Sequence, residues 1–156
     1  MKIFTSYYAM IHKIREEFPH ALIIATSGHI DERIQNSVDV WTKKLAPTKK
    51  IYFDYKEDSD WKKYVENYKT ERLSLFDFLE YFEYLESLTE DGLTDVFLLC
   101  YEKADDGSGK GEFCHRHIIA EAIEQEFNTT VHEFKHSHYD RIDYRMNSRI
   151  STDCLF

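Results

Sequence analysis

This chain contains little glycine and proline and no long apolar run. Only 5 of its 156 residues are Gly and 2 are Pro, which leaves little material for flexible linkers between domains. No apolar stretch approaches the ~20 residues needed to span a bilayer. The N-terminus also lacks the cationic region and apolar core of a signal peptide. We therefore expect one cytoplasmic domain without a membrane segment.

Basic residues and cysteines are also scarce. Lys and Arg number 20 against 29 Asp and Glu, giving a net charge of −9, whereas a general binder of duplex nucleic acid needs a basic face. The three cysteines are an odd number and do not form a disulfide framework, so we expect Cys100, Cys114 and Cys154 to be thiols in a reducing compartment. With 42% hydrophobic and 31% charged residues, the composition is typical of a globular protein.

Four short segments predict β-strands, at residues 2–6, 21–25, 96–100 and 130–134. The third is apolar throughout, as expected for a central strand covered on both faces of a parallel sheet. The fourth alternates between apolar and polar residues, which indicates an edge strand. We predict a small three-layer α/β domain over residues 1–134, with a mainly parallel sheet and a helical insert between the second and third strands. A polar C-terminal extension occupies residues 135–156.

Helical periodicity dominates the second half of the insert, which spans residues 30–93. Ser74 and Asp77 resemble a capping box. An apolar stripe follows at helical spacing, formed by Leu75, Phe78, Leu79, Phe82 and Leu85. A shorter stripe precedes it, formed by Trp61, Tyr64, Val65 and Tyr68. We interpret both stripes as core.

The helix after the third strand begins with Cys114-His115-Arg116-His117. At ~100° per residue, His115 and Arg116 fall on the apolar side of this helix, and His117 and Cys114 fall away from the core. A buried arginine needs a partner, so we expect Arg116 to reach a carboxylate or an anionic ligand. An ion pair with Glu102 is one such arrangement.

Polar residues follow the predicted strands at the edge where ligands bind in open α/β sheets, close to a helix N-terminus. Residues 98–117 are predicted to form the end of a strand, a loop and the start of a helix. The loop contains Asp105, Asp106, Gly107 and Gly109. Thr5-Ser6 and Thr26-Ser27 open on the same edge if the first two strands are parallel to the third. The predicted site comprises Thr5, Ser6, Ser27, Tyr101, Glu102, Cys114, His115 and Arg116. Lys43 and Lys44 are candidates to close over it from the insert.

The motif Leu98-Leu99-Cys100-Tyr101-Glu102-Lys103, followed by Phe113-Cys114-His115-Arg116-His117, resembles the signature of the "domain of unknown function 488" family. The similarity extends through Thr5–Ala9, Trp41, Lys44–Pro47 and the stretch from Tyr64 to Arg72, and so covers about residues 1–134. The resemblance implies a small α/β fold that is common in bacteria and their phages. It implies no particular reaction.

Two functions fit the predicted site. The first is binding of a phosphate-bearing, nucleotide- or nucleoside-type ligand by Arg116 and the hydroxyl-rich turns. Glu102 then acts as general acid or base if the ligand is cleaved or transferred. The alternative is a non-enzymatic protein that sequesters a ligand or a protein partner in the same pocket. We expect the protein to act in a bacterial cell or a phage-infected host.

Cysteine chemistry supplies two further hypotheses. Cys114, at a helix N-terminus beside His115 and Arg116, is a candidate catalytic nucleophile because thiolates are stabilised at such positions. Adjacent Cys, His and Arg cannot wrap an anion as a phosphatase loop does, so a buried structural cysteine is favoured. A metal site would need Cys100, Cys114, His117 and His136 or His138. Because no second close-spaced ligand pair exists, we expect no metal and no cofactor.

Overall fold

The computed structural model describes residues 1–103 and 114–135, and in them five parallel strands form one sheet in the order β3-β2-β4-β1-β5. The strands are β1 (Lys2–Tyr7), β2 (Leu22–Ala25), β3 (Val40–Trp41), β4 (Asp95–Cys100) and β5 (His132–Glu133). The predicted α/β class and parallel sheet are confirmed. The predicted central and edge positions of β4 and β5 are also confirmed.

β4 is central because it pairs with strands on both sides. Its neighbours are β1, with Lys2 opposite Asp95, and β2, with Leu22 opposite Val96. The edge strand β5 is only two residues long and pairs with β1 through Thr5 and Glu133. This pairing places Glu133, the last residue of β5, opposite Thr5 near the carboxyl end of β1. The short strand β3 lies inside the insert and was not predicted.

Helices cover both faces of the sheet. They are α1 (Ile11–Glu17), α2 (Glu32–Gln35), α3 (Lys49–Asp58), α4 (Trp61–Glu71), α5 (Phe78–Ser87) and α6 (His115–Phe127). Alternate residues of β4 point to opposite faces of the sheet. Val96 and Leu98 pack with α3–α6, while Phe97 and Leu99 pack with α1 and α2. We call these sides the α6 face and the α1 face. The predicted three layers are therefore present.

The start of α5 differs from the prediction in two ways. Asp77 is itself the N-cap and accepts a hydrogen bond from the Glu80 N–H at 2.9 Å, so Ser74 and Asp77 do not form a capping box. Leu75 and Leu79, predicted as core, are 81% and 56% exposed. Leu75 lies in a separate three-ten turn before the helix, where helical periodicity no longer determines which side a residue faces.

The insert is anchored to the sheet edge by α4 and the residue after it. Tyr68, fully buried on α4, donates its hydroxyl proton to the Leu45 carbonyl. Arg72 donates to the carbonyls of Ala46, at 2.7 Å, and Lys43, at 3.0 Å. These bonds fix the turn after β3 beside the carboxyl edge. None of the described helices is long and apolar enough to cross a membrane.

Candidate functional site

Buried polar side chains collect at one place in the described part of the chain, the carboxyl edge of the sheet. They come from the ends of β1, β2, β4 and β5 and from the first turn of α6. The nine buried Ser, Thr, His, Glu and Arg residues are Thr5, Ser6, Thr26, Ser27, Glu102, His115, Arg116, His117 and Glu133. Burying polar groups costs free energy unless they are paired, so this concentration distinguishes the edge from the apolar core beneath it.

The sheet divides the predicted site residues between its two faces. Successive residues of a strand point to opposite faces, so Thr5 and Ser6 are separated. The α6 face contains Thr5, Glu102, Cys114, His115 and Arg116. Ser27 and Tyr101 lie on the α1 face, where both contact Tyr8. The eight predicted residues thus share an edge but form two groups.

The α1-face group is a closed hydrogen-bond network. The Ser27 hydroxyl donates to the His29 carbonyl at 3.0 Å, so the Tyr8 hydroxyl, 2.6 Å away, donates to Ser27. The Tyr101 ring meets the Tyr8 ring edge-on at 4.7 Å. Burial raises the pKa of Tyr8 well above its ordinary value, which keeps this hydroxyl protonated. On the same face, the buried Ser6 hydroxyl has no hydrogen-bond partner among the described residues.

On the α6 face, Arg116 is engaged on every side by the protein. Its Nη2 donates to Glu133 Oε1 at 2.8 Å, and its Nε lies 3.4 Å from Glu133 Oε2. Its Nη1 donates to the Glu102 backbone carbonyl at 2.7 Å. The Thr5 hydroxyl donates to Glu133 Oε2 at 2.5 Å. We call Thr5, Arg116 and Glu133 the ion-pair cluster.

Arg116 therefore reaches a carboxylate, as expected, but it is that of Glu133. Glu102 contributes only its carbonyl oxygen to Arg116, so the expected Arg116–Glu102 ion pair is not formed. Burial raises the pKa of Glu133, but the charge of Arg116 and the hydrogen bonds from Arg116 and Thr5 outweigh it, and the net pKa is lowered. The pair is thus ionised on both sides and nearly neutral in sum.

A second cluster on the α6 face consists of Cys100, Cys114 and His115. Cys100 ends β4, Cys114 is the N-cap residue of α6, and His115 is the first residue of that helix. His115 Nδ1 lies 3.7 Å from Cys100 Sγ and 3.8 Å from Cys114 Sγ. All three side chains are buried. We call this group the thiol–imidazole cluster.

The imidazole of His115 is held from its other side. Its Nε2 donates to the Thr26 backbone carbonyl at 3.0 Å, so in the neutral ring Nδ1 is unprotonated and faces the two sulfurs. The Tyr68 ring packs edge-on against it, with centroids 5.8 Å apart. Burial lowers the pKa of His115, but the Cys114 thiol, the Glu102 carboxylate and the Thr26 carbonyl outweigh burial and raise it.

Glu102 lies between the two clusters. Its backbone carbonyl accepts a hydrogen bond from Arg116. Its carboxylate is close enough to His115 to raise the pKa of that imidazole. The residue is only 2% exposed. A buried carboxylate whose charge acts on a neighbouring imidazole is suited to proton transfer.

Two orientations predicted for the start of α6 are wrong. His117 and Cys114 were expected to point away from the core, but they are 0% and 1% exposed. Residues 114–120 are all buried, because this end of α6 is enclosed on all sides and a helical wheel separates faces only for a helix that lies on the surface. His117 instead lies close enough to Glu133 to help lower the pKa of that carboxyl electrostatically.

Glu133 belongs to this candidate site but is absent from the residues predicted for it. It was read as a polar residue of a half-exposed edge strand, yet it points inward with Val131, two residues earlier on the same side. Two signals together could have found it: the i, i+2 spacing from the apolar Val131, and the need of the buried Arg116 for a carboxylate.

Lys43 and Lys44 line a different depression. It is a cleft of about 550 Å³ that also includes Trp41, Phe76 and Tyr81, and the Lys43 ammonium lies 4.2 Å from the centroid of the Trp41 ring. The predicted loop residues Asp105, Asp106, Gly107 and Gly109 lie outside the described residues, as do His136 and His138. Most of the predicted extension, from residue 136 onward, lies outside them as well.

Comparison with known proteins identifies a family. Residues 6–127 match the family model DUF488-N3a, described as the active DUF488-N3 subclade. The match includes the end of β1, all of β4 and all of α6, and so the whole thiol–imidazole cluster. Of the ion-pair cluster it includes only Arg116, because Thr5 and Glu133 fall outside the matched range. No curated protein and no solved structure matches the chain.

Proposed function

This chain belongs to the DUF488 family, and from that premise we propose that the carboxyl edge of its sheet binds a small phosphate-bearing, nucleoside-type ligand. In this proposal Glu102 acts on the ligand as a general acid or base. The observation that carries the proposal is the collection of nine buried polar side chains at this edge. A fold concentrates such costly groups where function requires them.

The arrangement around Glu102 supports the acid–base role. Arg116 fixes the Glu102 backbone at 2.7 Å, and His115 brings a titratable ring near the carboxylate. The bonds of Arg116 favour a positioning role for it, because capturing a phosphate would remove the partner of the buried Glu133. That leaves the backbone N–H groups at the start of α6, which Cys114 does not cap with its side chain, as donors for the phosphate. Because residues 114–120 are buried, ligand binding in this proposal requires this end of the helix to open.

A reducing location such as the cytoplasm of a bacterium or a phage-infected host suits the buried thiols. Sequestration of the ligand without reaction is the competing function. Product formation distinguishes the two, so the experiment measures binding and turnover in the same samples.

The test is a panel of inorganic phosphate, nucleosides, nucleotides and nucleoside-sugar phosphates, with melting temperature and product analysis by mass spectrometry as readouts. A ligand at a hundred times its dissociation constant stabilises the folded chain by about 2.7 kcal/mol. We expect at least one phosphate-bearing nucleoside to raise the melting temperature and to be converted. A panel without any shift contradicts the binding site.

Glu102→Gln separates binding from chemistry. We expect it to retain the ligand-induced shift in melting temperature while turnover falls by about a hundredfold or more. Glu126→Gln, which removes an exposed carboxylate on α6, is the control and keeps both. Binding without turnover in the native chain, or normal turnover by Glu102→Gln, contradicts the acid–base role.

A further inference from the structure

We propose that Cys100, Cys114 and His115 form a zinc-binding site, in which two thiolates and one imidazole supply three of the four donors that zinc takes. In residues 1–103 and 114–135 this is the one group of three or more His, Cys, Asp or Glu side chains arranged to hold a metal ion. The inference does not depend on the proposed substrate or on the role of Glu102.

The distances between the donor atoms fit zinc. With bonds of about 2.3 Å to sulfur and 2.0–2.1 Å to nitrogen, tetrahedral coordination separates nitrogen from sulfur by about 3.6 Å and two sulfurs by about 3.8 Å. His115 Nδ1 lies 3.7 and 3.8 Å from the two sulfurs, and all three donor atoms lie within 4.8 Å of one another. An ion fits among them with small adjustments of the side chains.

The imidazole is oriented as a ligand requires. Metal-binding histidines usually donate their second N–H to a carbonyl or carboxylate, which fixes the tautomer and the ring orientation. His115 Nε2 does so to the Thr26 carbonyl at 3.0 Å, leaving Nδ1 directed at Cys100 and Cys114. This bond is to the backbone at the end of β2, so the fold itself positions the ligand.

The charge balance suits a buried site. Two thiols lose their protons to solvent when zinc binds, and the two thiolates neutralise the double charge of the ion while the imidazole remains neutral. A neutral centre costs far less to bury than an isolated charge. Thiolate and imidazole donors also favour zinc over magnesium or calcium, which prefer oxygen.

This inference departs from the expectation of no metal. That expectation relied on close-spaced pairs in the sequence, and it combined Cys100 and Cys114 with His117. In the structure the donors come from the end of one strand and the start of the following helix, and the adjacent His115 replaces His117. The fold therefore assembles a donor set that spacing alone does not reveal.

The experiment is metal analysis of the full chain purified under reducing conditions, followed by titration of the metal-free protein with cobalt(II). We expect about one equivalent of zinc, and a thiolate-to-cobalt charge-transfer absorption that saturates at one equivalent and disappears when zinc is added. Binding without that absorption, or no stoichiometric binding, overturns the proposal. A Cys100–Cys114 disulfide that forms in place of metal binding also overturns it.

Variants locate the ion. We expect His115→Gln to weaken zinc binding by more than a hundredfold, since even loss of an outer hydrogen bond costs about 10–100-fold. His132→Gln, an exposed histidine on β5, is the matched control and retains full affinity. The double variant His136→Gln/His138→Gln also retains it. If His115→Gln fails to fold, the cobalt spectrum of the native chain decides alone, and loss of affinity in either control overturns the assignment.

Discussion

The ion-pair cluster and the thiol–imidazole cluster meet on the first turn of α6, yet their donors are used differently. Arg116 has each edge of its guanidinium occupied by Glu133 or by the Glu102 carbonyl. His115, one residue earlier, directs Nδ1 at two sulfurs that lie 3.7 and 3.8 Å away, a spacing that leaves room for an ion. Equal burial therefore does not mean an equal role.

The two clusters therefore differ in role: the ion-pair cluster contains side chains that stabilise the fold, and the thiol–imidazole cluster contains side chains that remain available for chemistry. The ion-pair cluster joins α6 to β1, to β5 and to Glu102, two residues after β4, through charged hydrogen bonds. The thiol–imidazole cluster contains weak hydrogen-bonding groups at longer range, which contribute less to folding. If this division holds, variants of the two clusters should differ severalfold in their effect on stability.

Removing Arg116 should have the largest effect. Arg116→Met leaves the Glu133 carboxylate buried without its cation, and breaking one side of a buried pair costs about 3–5 kcal/mol. Urea unfolding of the metal-free protein measures the loss. Arg116→Met/Glu133→Leu removes both charges and should recover much of the stability. A decrease of less than about 1 kcal/mol in the free energy of unfolding of the single variant would show that the ion-pair cluster contributes little to the stability of the fold.

Acid should act mainly through the same cluster. The folded-state pKa of Glu133 is lowered from its ordinary value of 4.5, so its stabilising effect is complete above that value and is lost as pH falls through the lowered pKa. We expect the melting temperature to fall with pH below about 4.5, more steeply in the native chain than in Glu133→Gln. Glu126→Gln, which removes an exposed carboxylate, should show the same dependence of melting temperature on pH as the native chain. The same dependence in all three proteins would show that protonation of Glu133 does not control stability in acid.

Regular periodicity predicted most of the fold, because it reports which side of a strand or helix is covered. The unbroken run of β4 and the stripe of Tyr64, Val65 and Tyr68 on α4 are buried as expected. Prediction failed where tertiary packing decides exposure. Leu75 is exposed because a three-ten turn interrupts the helical periodicity. His117 is buried because the start of α6 is enclosed on all sides.

The site was predicted as a location but not as an arrangement. The rule that parallel strands place their functional residues at the carboxyl edge identified Thr5, Glu102 and His115 correctly as neighbours of that edge. The sequence could not show that Ser27 and Tyr101 lie across the sheet from them, because this depends on strand register. Nor could it pair Arg116 with Glu133, since β5 reaches the site only by pairing with β1.

Truncating Cys114 should have the smallest effect in the absence of metal. Cys114→Ala removes one buried sulfur and no charge, so we expect a loss of about 1 kcal/mol in protein treated with chelator, severalfold less than for Arg116→Met. Added zinc should then stabilise the native chain by about 2.7 kcal/mol at a hundred times its dissociation constant and leave Cys114→Ala unchanged. The gap between the two proteins therefore widens with zinc, because the ion binds the folded thiolate that the variant lacks. A loss of 3 kcal/mol or more with chelator would place Cys114 with Arg116 among the groups that hold the fold together.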